Sequence, residues 1–216
     1  MRRLSRVIRF ILEVVTLYLA VDAFMRLLRR LFPFPVPPTL NPLLDAPVRE
    51  ISQPRHITLE RIGLMPGMKA LELGPGLGYY TIEAARLIGP EGTLSAVDVQ
   101  PRMVASVQEK AREAGLENVE ARVADGKRLP YPSGTFDLAF LVSVLGEIPD
   151  KGRVLRELRR VLKPNGRLSI TETMPDSNYM LMPEVVGWAQ TVGFELVEQQ
   201  GNAFLYTLNF RSLLGP

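Results

Sequence analysis

The chain has 216 residues, a single histidine and no cysteine, a size that suits one domain with an appendage and needs no covalent staples. The lack of cysteine excludes disulfides, thiolate metal sites and thiol nucleophiles, and leaves the redox compartment unconstrained. Its formal net charge of +3 is unevenly spread, because seven arginines and two acids in residues 1–30 carry +5 and leave −2 for the rest.

From Leu4 to Leu31 there is neither glycine nor proline. The polar residues Arg2, Arg6, Arg9, Glu13, Thr16, Arg26 and Arg30 recur in steps of three and four, with Ala20 and Ala23 between. That period makes one polar stripe on a long amphipathic helix over residues 1–32. Asp22 lies four residues before Arg26, and Arg9 four before Glu13, so each acid has an intrahelical partner. Glu13 and the later arginines argue against a secretory signal. A spanning helix needs about 20 mainly apolar residues, and Arg9, Glu13 and Asp22 interrupt the stretch from Val7 to Met25. A helix lying in the membrane interface with its arginines at the headgroups fits best. The expected partner is therefore a membrane lipid surface, with the protein on the cytoplasmic face. A single span, or a helix packed on its own domain or a twin subunit, stays open. Residues 33–48 follow as a linker, with six prolines between positions 33 and 47 that impose extended, semi-rigid backbone.

Residues 49–216 alternate strand and helix patterns. Arg55 to Ile62 reads as a helix stopped by Gly63, residues 68–74 as strand one, and Tyr80 to Ile88 as a helix. Residues 92–98 are strand two, Met103 to Ala114 a helix, residues 118–125 strand three and residues 136–143 strand four. Lys151 to Leu162 is a helix for which Lys163-Pro164-Asn165-Gly166 is the stop, followed by strand five over residues 167–173. Glu184 to Val192 is the last helix. Residues 194–200 and 203–210, separated by Gly201-Asn202, predict an antiparallel hairpin. The expected fold is α/β, a Rossmann-like, seven-stranded, doubly wound sheet ending in that hairpin.

The most informative segment is Leu71 to Ala85, in which an apolar strand runs through Glu72 into Gly74, Gly76 and Gly78 and leaves as an amphipathic helix. Glycines there let the backbone turn tightly and approach a nucleotide-like ligand. A dinucleotide fingerprint would need a third glycine at 79, and Tyr79 stands there. The G-x-G-x-G loop, Asp98 ending strand two, Asp125-Gly126 ending strand three, and the terminal hairpin together resemble the class I S-adenosylmethionine-dependent methyltransferases over residues 55–210. Within that class the look is nearest to ubiquinone/menaquinone and phospholipid methyltransferases.

The resemblance implies S-adenosylmethionine as cofactor and assigns roles to residues. Glu72, Gly74, Gly76 and Gly78 cradle it, and Asp98 accepts from the ribose hydroxyls. Asp125 with Gly126 takes the adenine amino group, while Met103 with Val99 or Gln100 flanks the ring. Ser143 and Val144 close over the cofactor, and Glu147 faces the substrate. Plainer readings remain beside these: Asp98 as a helix cap, Asp125 as an Asx turn, Met103 as a core methionine. His56 is a candidate base or a solvent-facing histidine. Tyr79 faces the methionine end of the cofactor or the substrate, Tyr80 reads as core, and Tyr179 is either a substrate-pocket residue or part of an ordinary loop. No metal is expected.

The chain lacks the Asp/Asn-Pro-Pro-aromatic sequence of nucleic-acid amino methyltransferases, and its domain lacks a basic aromatic surface, so no nucleic-acid partner is expected. The expected acceptor is a lipid or lipophilic molecule, a phosphatidylethanolamine-like amine ahead of a prenylated quinone. A protein carboxyl group is a further possibility in the same class. A membrane-tethered scaffold that binds the cofactor without catalysis is the alternative of another class. The oligomeric state is left open.

Overall fold

In the computed structural model, residues 53–174, 176 and 178–213 are described, together with Thr16, Ala20, Phe24 and Glu50. The linker expected at 33–48, and most of the helix expected at 1–32, lie outside these residues. Thr16, Ala20 and Phe24 are helical and exposed. Among the described residues no helix is long and apolar enough to cross a membrane.

The elements are α1 (Arg55–Ile62), β1 (Lys69–Leu73), α2 (Thr81–Ile88), β2 (Thr93–Asp98), α3 (Pro101–Glu113), β3 (Val119–Val123) and β4 (Phe136–Val142). A short 3-10 turn, Leu145–Glu147, leads to α4 (Lys151–Val161), β5 (Leu162–Thr173), α5 (Met182–Thr191), β6 (Phe194–Gly201) and β7 (Leu205–Ser212). Local chemistry sets several boundaries. Gly63, at φ 78°, closes α1, a left-handed cap that glycine adopts without a Cβ penalty. Pro101 opens α3, where its missing N–H costs nothing. Asp150 caps α4 by accepting the Arg153 N–H at 3.0 Å.

The seven strands form one sheet in the order β3-β2-β1-β4-β5-β7-β6. Only β7 runs against its neighbours, pairing antiparallel with β5 and β6. One face is covered by Leu59 and Ile62 of α1 with Ala84, Ala85 and Ile88 of α2, packed on Leu94, Leu138 and Phe140. The other is covered by Val154, Leu155, Leu158 and Val161 of α4 with Val185 and Ala189 of α5, packed on Leu168, Ile170, Leu208 and Phe210. Each fully buried Leu or Phe contributes about 1.5–3 kcal/mol, so these two layers, rather than the polar loops, hold the domain together. The chain leaves β1 toward β2 and β3, then returns to β4 on the other side of β1. This reversal opens a crevice at the carboxyl ends of β1 and β4, where ligands of such sheets bind.

Two expectations need correction. The Lys163–Gly166 segment is no stop between helix and strand, because β5 begins at Leu162, directly after α4. Leu162 pairs with Phe136 and Arg167 with Leu138, so the intervening residues bulge out of the strand. Asn165 at φ 65° makes the bulge, and Lys163 anchors it through a 2.5 Å ion pair with Asp137. The hairpin turn also shifts. Gly201 still pairs with Tyr206 inside the ladder, and the reversal falls on Ala203-Phe204, where Asn202 Oδ1 accepts from the Phe204 and Leu205 N–H groups at 2.8 and 3.2 Å.

Candidate functional site

The glycine loop leaves β1 at the crevice. Gly74, Gly76 and Gly78 all have positive φ, at 73°, 55° and 82°. The Gly74 N–H donates to Val97 O at 2.8 Å and ties the loop to β2, while Gly78 N–H closes a turn on Pro75 O at 3.0 Å. A Cβ on Gly74 would lie 2.6 Å from the Val144 side chain, whereas one on Gly76 would meet nothing within 4 Å. The first glycine is thus required by packing against the β4 end, and Gly76 leaves an open cradle against which a ligand can lie. Glu72, two residues before Gly74, is buried on β1 between β2 and β4.

Asp98 ends β2 and is 9% exposed as a residue. Its Oδ1 accepts the Gln100 N–H at 2.9 Å, and the backbone N–H groups of Gly76 and Val99 also point to it. Burial pushes its pKa up, and those three donors pull the other way. A carboxylate set against the glycine loop in this way suits neutral hydroxyl donors, since each hydrogen bond to a charged acceptor is worth about 1.5–3 kcal/mol. Val99 beside it is 58% exposed and free to lie against a ring, while Met103 is buried in the domain.

Asp125 is exposed and makes an Asx turn, its Oδ1 accepting the Lys127 N–H at 2.9 Å. That hydrogen bond first, and the Lys127 ammonium at 3.0 Å, hold its carboxyl below the usual range. Gly126 is needed for packing, because a Cβ would press on Leu73 and Val154 at 3.2–3.3 Å. Across the crevice Ser143 has φ 54°, a left-handed conformation that costs a non-glycine residue about 1–3 kcal/mol. Its N–H donates to Thr171 O at 2.8 Å, and its buried Oγ has no hydrogen-bond partner among the described residues. Strain and an unspent hydroxyl at one position are the marks of a ligand contact.

The segment before α1 covers the other side of the loop. Tyr79 is buried, and its hydroxyl donates to Glu50 Oε2 at 2.6 Å and to Gln53 O at 3.2 Å. The Arg55 guanidinium lies 4.5 Å over its ring and pairs with Glu50 at 2.8 Å. The Tyr79 hydroxyl, then Arg55, hold the Glu50 carboxyl at a pKa of about 2, and burial with Glu50 beside it raises the Tyr79 phenol. Tyr80 is core, as expected, with its hydroxyl on Gln53 Oε1 at 3.3 Å. His56 is exposed on the first turn of α1 beside Arg55.

On the acceptor side, Glu147 is exposed and takes the Asn178 amide at 3.4 Å. Tyr179 is buried with its hydroxyl on Ala203 O at 2.6 Å. Sequence reasoning missed the Glu50–Arg55 pair, Asn178 and Glu172. The last was findable, because alternation along β5 puts Glu172 in phase with Leu168 and Ile170 on the core face.

A doubly wound sheet with one antiparallel strand, a glycine cradle at the switch point and an acid closing the next strand defines a nucleotide-cofactor-binding methyltransferase fold. The chain belongs to the methyltransferase domain family, whose model matches residues 64–207. It is similar to the ubiquinone/menaquinone biosynthesis C-methyltransferase UbiE of Pasteurella multocida, 34% identical over 134 residues that cover 62% of this chain and 49% of that protein. Similarity to the demethylmenaquinone methyltransferase of Listeria welshimeri is also 34%, over 63% of this chain and 55% of that protein. The chain thus spans about half the length of the curated relatives it matches. Among solved structures, a SAM-dependent methyltransferase from Aquifex aeolicus superposes with a TM-score of 0.77 at 26% identity, covering 82% of this chain and all of that one. The [4+2]-cyclase SpnF, 22% identical with a TM-score of 0.65, shares the fold over 74% of this chain and 80% of its own. The chain thus carries a methyltransferase domain of class I fold, and the cradle at Gly76, the Asp98 carboxyl and the unspent Ser143 hydroxyl fit an S-adenosylmethionine cofactor.

Proposed function

We propose that this methyltransferase acts on a lipid acceptor carrying an amine headgroup of the phosphatidylethanolamine kind. The observation that carries the reading is the acceptor side of the crevice, where Glu147, Asp176 and Glu172 gather at the ends of β4 and β5 beside Tyr179 and Tyr206. Carboxylates with aromatic faces suit an amine. Exposed Leu181 and Phe204, 58% and 68% accessible, border the same loop and suit an apolar tail. The arginine-striped sequence of residues 1–32 suits attachment to a lipid surface.

Bound cofactor supplies an electrophilic methyl group, and the protein's part is alignment and exclusion of water. Gly74 to Gly78, Asp98 and Ser143 would hold the donor. Tyr79, locked by Glu50 and Arg55, walls one side of the loop.

A second reading, methylation of a prenylated quinone ring, is favoured by the names of the relatives, which are quinone-pathway methyltransferases. The test is transfer of radiolabelled methyl to vesicles of phosphatidylethanolamine and phosphatidylglycerol, and to phosphatidylglycerol vesicles carrying a prenylated hydroquinone. Label in the amine headgroup is expected. Label on the hydroquinone alone selects the second reading, and label confined to protein or water overturns the lipid acceptor. Flotation with anionic vesicles, lost on deletion of residues 1–32 and weakened by salt, is the behaviour expected of this segment.

A further inference from the structure

We infer that the outer face built by the loop after β3, by α4 and by the start of α5 docks on an anionic phospholipid surface, with Trp188 at its headgroups. The inference rests on the reading of the acceptor as a membrane-borne lipid. Unspent positive charge is its first support. Arg153, Arg156 and Arg160 recur in steps of three and four on α4, opposite the buried Val154, Leu155, Leu158 and Val161, so they share one outward stripe. Arg160 is held by Glu157 at 2.6 Å. Arg153 and Arg156 are exposed and make no ion pair among the described residues.

The loop after β3 lies along the same helix. A Cβ on Gly126 would stand 3.3 Å from Val154, and the Leu129 N–H donates to Glu157 Oε1 at 2.8 Å. Between them, exposed Arg128 joins the stripe, again without an ion pair among the described residues. The nearby acids are occupied. Lys127 holds Asp125 at 3.0 Å, Arg160 and Leu129 hold Glu157, and Asp150 caps α4 on the Arg153 N–H. Three guanidinium groups are left for an outside anion.

Trp188 is the second support, because it is 43% exposed on the same face. Its ring and the Arg156 guanidinium both border Gly152 of α4, 3.6 and 3.5 Å from where a Cβ there would stand. Leu181, 58% exposed at the N-cap of α5, extends the apolar edge toward the crevice. One ring is no stacking platform for a run of bases. An indole beside arginines suits the boundary between headgroups and acyl chains. Residues 31–216 carry a net charge of −2, so an anionic surface attracts this face rather than the domain as a whole. Since α4 and α5 start after the carboxyl ends of β4 and β5, docking here brings the mouth of the crevice to the headgroups.

Trp188 is the chain's only tryptophan, so its fluorescence reports this face alone. The test titrates the full chain with vesicles of phosphatidylcholine and phosphatidylglycerol, with and without bromine on the acyl chains. A blue shift, quenching by bromine and weakening by salt are expected, with no response to phosphatidylcholine alone. R153Q/R156Q, checked by thermal melt and by S-adenosylhomocysteine binding, should weaken docking about fivefold for each arginine. It should lose most of the quenching at a vesicle concentration that saturates wild type, and R112Q, on α3, should keep it. Absence of a Trp188 response to anionic vesicles, with or without flotation, overturns the surface, as does wild-type quenching in R153Q/R156Q. A response to single-stranded RNA and none to vesicles overturns the lipid partner. If bromine quenches Trp188 while no lipid receives label, the lipid acceptor fails and the surface stands. If lipid is labelled while Trp188 ignores brominated vesicles, the surface fails alone.

Discussion

Gly74, Asp98 and Glu172 carry distinct burdens that single substitutions separate. Gly74→Ala adds a Cβ at φ 73° into the Val144 side chain. Strain of about 1–3 kcal/mol should appear as a lower melting temperature, and S-adenosylhomocysteine affinity should drop at least about tenfold by calorimetry. Asp98→Asn keeps the shape but removes the charged acceptor. Its melting temperature should change little, while cofactor affinity falls about 10- to 150-fold, the equivalent of a charged hydrogen bond. Glu172 gives a pH dependence whose sign is fixed. Its folded pKa lies well above the ordinary 4.5. Between those values the unfolded chain ionises and the folded chain does not, so stability falls as pH rises through the window. Glu172→Gln abolishes that loss. Thermal melts should show the variant above wild type at pH 8, with the gap closing toward pH 4.5. Glu50, held at about 2, has the opposite sign, giving stability that is lost as pH falls from 4.5 toward 2. With its side chain 42% exposed and screened by solvent, its share is small.

At the scale of elements, α2 depends on a residue far from it in sequence. Carbonyls at a helix end lack helical partners, and the Asn118 amide ties the last turn to its cap, donating to Gly89 O and to Ala85 O, which also takes the Gly89 N–H, at 2.8 Å each. Asn118→Ala should cost about 1–3 kcal/mol, read as a lower urea midpoint, with S-adenosylhomocysteine affinity nearly unchanged because the glycine loop enters the opposite end of α2. The strand and helix periods located every element of the sheet, since alternation and three-to-four spacing are local properties of the chain. The β5 bulge escaped that reading. Lys163-Pro164-Asn165-Gly166 has the composition of a stop, and only the pairing of Leu162 with Phe136 makes it part of a strand. The hairpin reversal moved for a similar reason, because Asn202 can cap the turn that follows it as well as sit inside one.

For the whole molecule, the candidate cofactor site joins β1, β2 and β4, so a ligand there should stabilise the entire domain. S-adenosylhomocysteine at about 100 times its dissociation constant adds about 2.7 kcal/mol. For a domain of this size that is a rise in melting temperature of about 5–10 °C. Thermal shift measures it directly, and the same concentration should move Asp98→Asn far less.

The sequence by itself determined the methyl donor and the sheet that binds it. The glycine spacing, Tyr79 in place of a third glycine, the acid at the end of strand two and the terminal hairpin are short-range patterns, and each keeps its meaning without knowledge of distant neighbours. Only the tertiary structure decided what surrounds the donor's loop and the acceptor's approach. The Glu50–Arg55 pair locks Tyr79 from a segment about 29 residues away in the chain, and Glu147 meets Asn178 across 31 residues. Glu172 has an ordinary place in an alternating strand. Burial under the loop after β5, among acids brought in from two other segments, gives that carboxyl its unusual charge state.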